Sequence, residues 1–178
     1  MIAAALSLAL LSGLLPQHTQ SAHAQPAMQR AQVEGWTYEV RTDAFTGGKT
    51  CKLYARDPKS RVRMTYVSGA VAFQFAHSLD TRSAVYRVDG GAARASRDDV
   101  TALAVKHVVT PDPLLNQSAQ GLVFIPDDIL LGAHEVSIRP SPYVSPKTVG
   151  LGGLQQAVAA VQAQGCAPTS FAQFDVNE

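Results

Sequence analysis

The sequence predicts a mainly β protein with two helices: an antiparallel β-sandwich or small barrel, stapled by a disulfide. Three observations support this. Short segments with apolar residues at every second position recur between Gly35 and Arg139, the periodicity of half-buried strands. Two other segments space their apolar residues three and four apart, as an amphipathic helix does. Finally, the chain carries only two cysteines, Cys51 and Cys166, behind an N-terminal stretch patterned as an export signal.

The elements follow in order from that N-terminus. Ile2 to Leu15 is an uninterrupted apolar run, and Ala22-His23-Ala24 offers small residues where a signal peptidase reads. The run is short for a bilayer span, so residues 1–24 read as a removable signal peptide. No Lys or Arg precedes the run; either the true start lies upstream or the signal is atypical. A hydrophobic N-terminal core helix is the competing reading. Residues 25–34 are expected to be flexible, residues 35–166 to form one sandwich-like domain, and residues 167–178 to be a loose tail. The expected product is exported, periplasmic or secreted, with no transmembrane span in the mature chain.

From Gly35, Trp36, Tyr38 and Val40 alternate with polar residues, and "TCKLYAR" continues the pattern after a Gly-rich turn. "RVRMTYV" and "AVAFQFA" follow; Ala70, Ala72 and Ala76 leave one face of the latter open to a second layer. Asp89-Gly90-Gly91 is a hairpin turn, because glycine tolerates positive φ. Ser96 and Asp99 then resemble a helix start, with Val100, Leu103, Ala104, His107 and Val108 on one stripe. "TPDPLLNQSAQ" reads as a loop, "GLVFIP" as a strand, "PDDILLG" as a short helical turn and "HEVSIR" as a last strand. "PSPYVSPKT" reads as an exposed connector. Leu151, Leu154, Val158 and Val161 mark a second helix ending at Gly165.

In an oxidising compartment two cysteines have one intrachain pairing, Cys51–Cys166. By chain entropy a bridge over so long a loop is worth about 4–5 kcal/mol as an upper figure. Two free buried thiols or a reactive nucleophile are the alternatives.

Several chemistries meet counter-signals. Gly48-Lys49-Thr50 resembles the end of a phosphate-binding loop, but the pattern needs glycine where Asp43 stands and a helix where "CKLYAR" is β-patterned. His77, His107 and His134 show no local ligand spacing, so no metal and no cofactor are expected. No G-x-S-x-G elbow and no S-x-x-K motif are present, and no catalytic residue is assigned. Asp127-Asp128 suits a helix N-terminus better than an acid–base pair. A small exported hydrolase, with a triad assembled from scattered Ser, His and Asp/Glu, is the alternative function. A secreted inhibitor presenting "SPYVSP" is a third.

With 15 Lys and Arg against 14 Asp and Glu, the net charge of +1 gives no bulk attraction to nucleic acid or to an anionic membrane. A local basic cluster stands out nonetheless: Lys49, Lys52, Arg56, Lys59, Arg61 and Arg63 around one hairpin. It reads as contact with an anionic surface such as lipopolysaccharide headgroups, a polyanion or an acidic partner. Charges that keep a sheet edge from aggregating are the competing reading.

The leader, the Trp-containing first strand, the helix "LGGLQQAVAAV" and the "GC" that follows it are together similar to small uncharacterised proteobacterial periplasmic proteins. The nearest named group is the invasion-associated locus B type. The resemblance runs from Trp36 to Cys166; that group often has further cysteines, whereas this chain has one pair. It implies an exported β-sandwich linked to the envelope or to host interaction, without catalytic residues. With fold-forming signals along the whole domain and no catalytic signature beside them, the expected function is a non-enzymatic binding or envelope-associated module.

Overall fold

The computed structural model describes residues 28–67, 69–106 and 121–166. The expectations for the leader, the tail from Ala167, the loop 110–120 and His107 lie outside the described residues.

Two antiparallel sheets make up the fold. The first has the order β1-β2-β3-β4-β5-β8 and the second β10-β9-β6-β7. The first comprises β1 (Met28–Val33), β2 (Trp36–Thr42), β3 (Lys49–Arg56), β4 (Arg63–Val67), β5 (Ala70–Gln74) and β8 (Leu122–Pro126). The second comprises β6 (Val85–Val88), β7 (Arg94–Ala95), β9 (Glu135–Arg139) and β10 (Lys147–Gly150). Among the described residues three short helices accompany them: α1 (Val100–Val105), α2 (Asp127–Leu130) and α3 (Leu154–Ala163).

The period-2 residues do what their pattern requires. Trp36, Val40, Leu53, Met64, Phe73 and Ile125 of the first sheet share one core with Tyr86, Val136, Ile138 and Val149 of the second. Leu154, Ala157, Val158 and Val161 of α3 complete it. On the far face of the first sheet, Ala70 and Ala72 do admit a second layer. Leu103 of α1 packs there with Val67, Leu122 and Phe124. The β4-β5-β8 end of this sheet is thus covered on both faces, whereas β1 at the opposite edge is exposed along almost its whole length.

Three expectations change. The segment taken as flexible contains β1, which pairs with β2 from Met28↔Arg41 to Val33↔Trp36. Its sequence, MQRAQV, shows no apolar alternation because an exposed edge strand buries neither face. The two-residue loop Glu34-Gly35, with φ of 49° and 85°, makes the hairpin. The first helix ends at Val105, and Ser96 does not cap it. Ser96–Asp99 form a 3₁₀ turn without a side-chain cap bond. Of the stripe, Leu103 alone is buried among the described residues. The Pro-rich connector ends in β10, whose Val149 pairs with Val136. Proline can precede a strand without removing a ladder hydrogen bond, so Pro146 does not prevent β10 from forming.

Cys51 and Cys166 are bonded, with Cα atoms 5.6 Å apart and 115 residues between them. The bridge ties the end of α3 to β3, as the sequence suggests. At the start of the same helix, Trp36 Nε1 donates to Gly152 O at 3.1 Å. Gly153 there has φ 78°, and a Cβ on it would lie 2.2 Å from Glu34 Cβ, so only glycine lets the β1–β2 hairpin seat against α3.

Candidate functional site: a basic groove at one end of β3

β3 ends in Arg56 and β4 begins with Arg63, and the ladder places these two residues directly opposite one another. Between them runs the turn 57–62, which sets Arg61 at φ 63°. Beside the turn lie the residues after β5 and those before β10. Together they enclose a groove of about 450 Å3, lined by the cations Arg56, Arg61, Arg63 and Lys147. Its apolar wall is Val62, Phe75, Leu79 and Val144. The apolar side chains are buried or half-buried, whereas Arg56, Arg61 and Lys147 are exposed and Arg63 half-buried. Hence the groove has a greasy floor and a cationic rim.

Asp57 builds this rim without lining it. Its carboxylate accepts hydrogen bonds from the backbone N–H of Lys59 (3.0 Å) and Ser60 (2.6 Å) and from the Ser60 hydroxyl (2.8 Å). Its other oxygen accepts from Gly150 N–H at 3.3 Å. One buried carboxylate thereby fixes both the arginine turn and the strand that brings Lys147. Burial alone would raise the Asp57 pKa; the hydrogen bonds from Ser60, Gly150 and Lys59 outweigh it and hold the carboxyl below the ordinary aspartate range. Arg56 Nε donates to Arg61 O at 3.3 Å, and Lys147 Nζ to Ser60 O at 3.1 Å. Both long side chains are thus steered toward the turn by neutral carbonyls. Among the described residues no carboxylate forms an ion pair with any of the four cations. Such an arrangement holds positive charge ready for an anion.

Of the six cations read from the sequence, the structure gathers Arg56, Arg61 and Arg63. Lys59 is exposed on the turn, away from the lining. Lys52 stands on the open face of β3, 6.0 Å from the Tyr54 ring. Tyr54 donates to Glu39 at 2.8 Å, and Arg30 lies 3.6 Å from the same carboxylate, so that face carries an acid among its cations. Lys49 does not join that outer face. It shares the side of Cys51, two residues on, and its Nζ donates to Gln164 O at 3.0 Å. Lys147 does not stand out in the sequence, because a proline-rich stretch hides the strand that carries it.

The loop Asp43–Gly48 is a turn between β2 and β3. The Asp43 carboxylate accepts from Phe45 and Thr46 N–H at 2.8 Å each, and Gly47 takes φ 70°. A strand follows it, so the helix end that a phosphate-binding loop needs is replaced by a β-ladder.

Two further clusters are structural in their bonding. Asp99, 3% exposed, accepts from Tyr86 Oη at 2.6 Å and from Arg94 at 2.9 Å. Asp127 accepts from Tyr66 Oη at 2.8 Å and from Lys106 Nζ at 2.6 Å, and Asp128 meets the same ammonium at 3.1 Å. Thus Asp127 and Asp128 grip one lysine rather than only flanking a helix start. Burial, then the Asp127 hydrogen bond and charge, push the Tyr66 phenol up. His134 is 93% exposed, with Nδ1 3.6 Å from Asp89 Oδ2. That aspartate already accepts the backbone N–H of His134 and Glu135, at 3.0 and 2.9 Å. Among the described residues no three His, Cys, Asp or Glu side chains converge as a metal site. No helix among them is long and apolar enough to cross a membrane.

No family model matches the chain, and no curated protein and no solved structure matches it.

Proposed function

We propose that this protein is an exported, non-enzymatic β-sandwich module that binds an anionic component of the cell envelope through the groove at Arg56, Arg61, Arg63 and Lys147. The observation behind this reading is the rim itself: four cations converge on a concave surface without a paired carboxylate among the described residues. Holding like charges together disfavours the free protein, and an anionic ligand relieves that cost. The Cys51–Cys166 bridge supports the exported part, because disulfides persist where the surroundings are oxidising.

Two measurements test this reading. N-terminal sequencing of the protein recovered from the periplasm of a bacterial host should find a chain beginning near Gln25; retention of the full leader in the cytoplasm would overturn export. Cosedimentation with vesicles containing phosphatidylglycerol should exceed that with phosphatidylcholine vesicles. The difference should shrink with added salt, since exposed charges are screened over about 8–10 Å at 0.1–0.15 M. The double variant Arg56→Gln/Arg63→Gln should lose the preference while unfolding at an unchanged or higher urea concentration. Equal cosedimentation by the variant and the native chain would remove the groove from the function.

A further inference from the structure

The groove is more than a patch of charge. Its cations stand at the rim, and its floor is apolar and partly open. Val62 belongs to the core, Phe75 packs against it, and Leu79 and Val144 are half-buried without belonging to either core cluster. A volume of about 450 Å3 falls within the roughly 300–1,000 Å3 common to small-molecule sites. A flat contact with a charged surface would use the rim and leave the floor wet.

We infer that the groove takes a single lipid with a phosphate monoester headgroup, with the phosphate on Arg56, Arg61, Arg63 and Lys147 and the first part of its chains on Phe75, Leu79 and Val144. This rests on the proposed anion-binding role and names its ligand class. Charge decides the headgroup. One carboxylate would offset only one of four cations, whereas a phosphate monoester carries about −1.5 to −2 at pH 7 and three acceptor oxygens. Planar guanidinium forks suit phosphate oxygens in pairs, and three of the four cations are arginines. Geometry decides the tail: the apolar wall adjoins the rim, so a headgroup seated on the arginines carries its chains directly to Leu79 and Val144.

The test is calorimetry of the full chain, disulfide intact, with three probes below their aggregation limits: inorganic phosphate, dihexanoyl phosphatidic acid and dihexanoyl phosphatidylcholine. Phosphatidic acid should bind at least roughly tenfold more tightly than inorganic phosphate, since two buried methylenes suffice for that ratio. Phosphatidylcholine should bind at least tenfold more weakly than phosphatidic acid. Leu79→Gln should shrink the ratio of phosphatidic acid to inorganic phosphate affinity, and an unchanged ratio would take the chains off Leu79. Arg56→Gln/Arg63→Gln should weaken both anions. Urea midpoints near that of the native chain would confirm that both variants are folded. If inorganic phosphate and phosphatidic acid bind equally well, the anion site stands and the lipid inference falls. Should phosphatidylcholine match phosphatidic acid, the rim is not the headgroup site and the inference is wrong. Binding of none of the three would remove the anion site and the lipid together.

Discussion

At one end of β3, Cys51 is bonded to Cys166, and Lys49 gives its ammonium to the carbonyl of Gln164 just beyond α3. At the other end, Arg56 faces Arg63 across the ladder, and among the described residues neither forms an ion pair with a carboxylate. The same strand, with the same alternation, thus ends in a closed bond on one side and in open charge on the other. The first arrangement stabilises the fold by itself, chiefly by restricting the unfolded chain. The second destabilises it slightly unless something negative arrives. Two functions are separated by about one strand length: one end keeps the fold together and the other is available for recognition.

The largest effect that would sharpen this contrast comes from the closed end. Cys166→Ala should cost about 2–5 kcal/mol, read from urea unfolding under non-reducing conditions. Anion affinity of the folded fraction should be unchanged, because the groove's residues belong to the opposite end of β3. A parallel loss of anion binding at concentrations of urea where the variant is still folded would show that the two ends are not separable.

Asp57 comes next, since it is a closed device inside the open end. Asp57→Ala removes the charged acceptor of the Lys59, Ser60 and Gly150 N–H groups, and hydrogen bonds to a charged group are worth about 1.5–3 kcal/mol. The substitution should also weaken anion binding by loosening the turn and β10 together. The sign with pH is fixed by the lowered folded pKa. The Asp57 contribution is present above the unfolded value of about 4 and is lost as pH falls through the folded value. Native protein and Asp57→Ala should therefore converge in stability on acidification. A constant gap from pH 7 to pH 2 would mean that the carboxylate's charge does not matter there.

Much of this contrast can be read in the sequence, and the parts that cannot have physical causes. Cys51 at an inward position of "TCKLYAR", the cations of "RVR" and the Asp57-Pro58 turn all announce themselves locally. Period 2 also settles that Lys49 lies with Cys51, although proximity in sequence tempts one to group it with Lys52. What a local pattern cannot supply is the partner from far along the chain. Lys147 reaches Ser60 O across 87 residues, and Gly150 reaches Asp57 across 93. β1 is hidden for a different reason: both its faces meet solvent, so no alternation is needed. Asp99 looks like a helix-start acid until Tyr86 and Arg94 are brought to it by the β6–β7 hairpin.

The smallest stability effect is the most diagnostic, because its sign is opposite to that of an ordinary surface truncation. Arg63 is half-buried opposite Arg56, and like charges directly opposed in a ladder disfavour the fold by roughly 0.2–1 kcal/mol. Arg63→Gln keeps the length and polarity of the side chain but removes that repulsion, so it should leave stability unchanged or raise it by up to this amount. The same variant should bind phosphatidylglycerol vesicles more weakly than the native chain. Raising the salt concentration should narrow the stability difference between the two proteins, as repulsion between exposed charges is screened. If Arg63→Gln is instead destabilised and binds as before, Arg63 belongs to the structural end of the contrast, and Arg56, Arg61 and Lys147 must act without it.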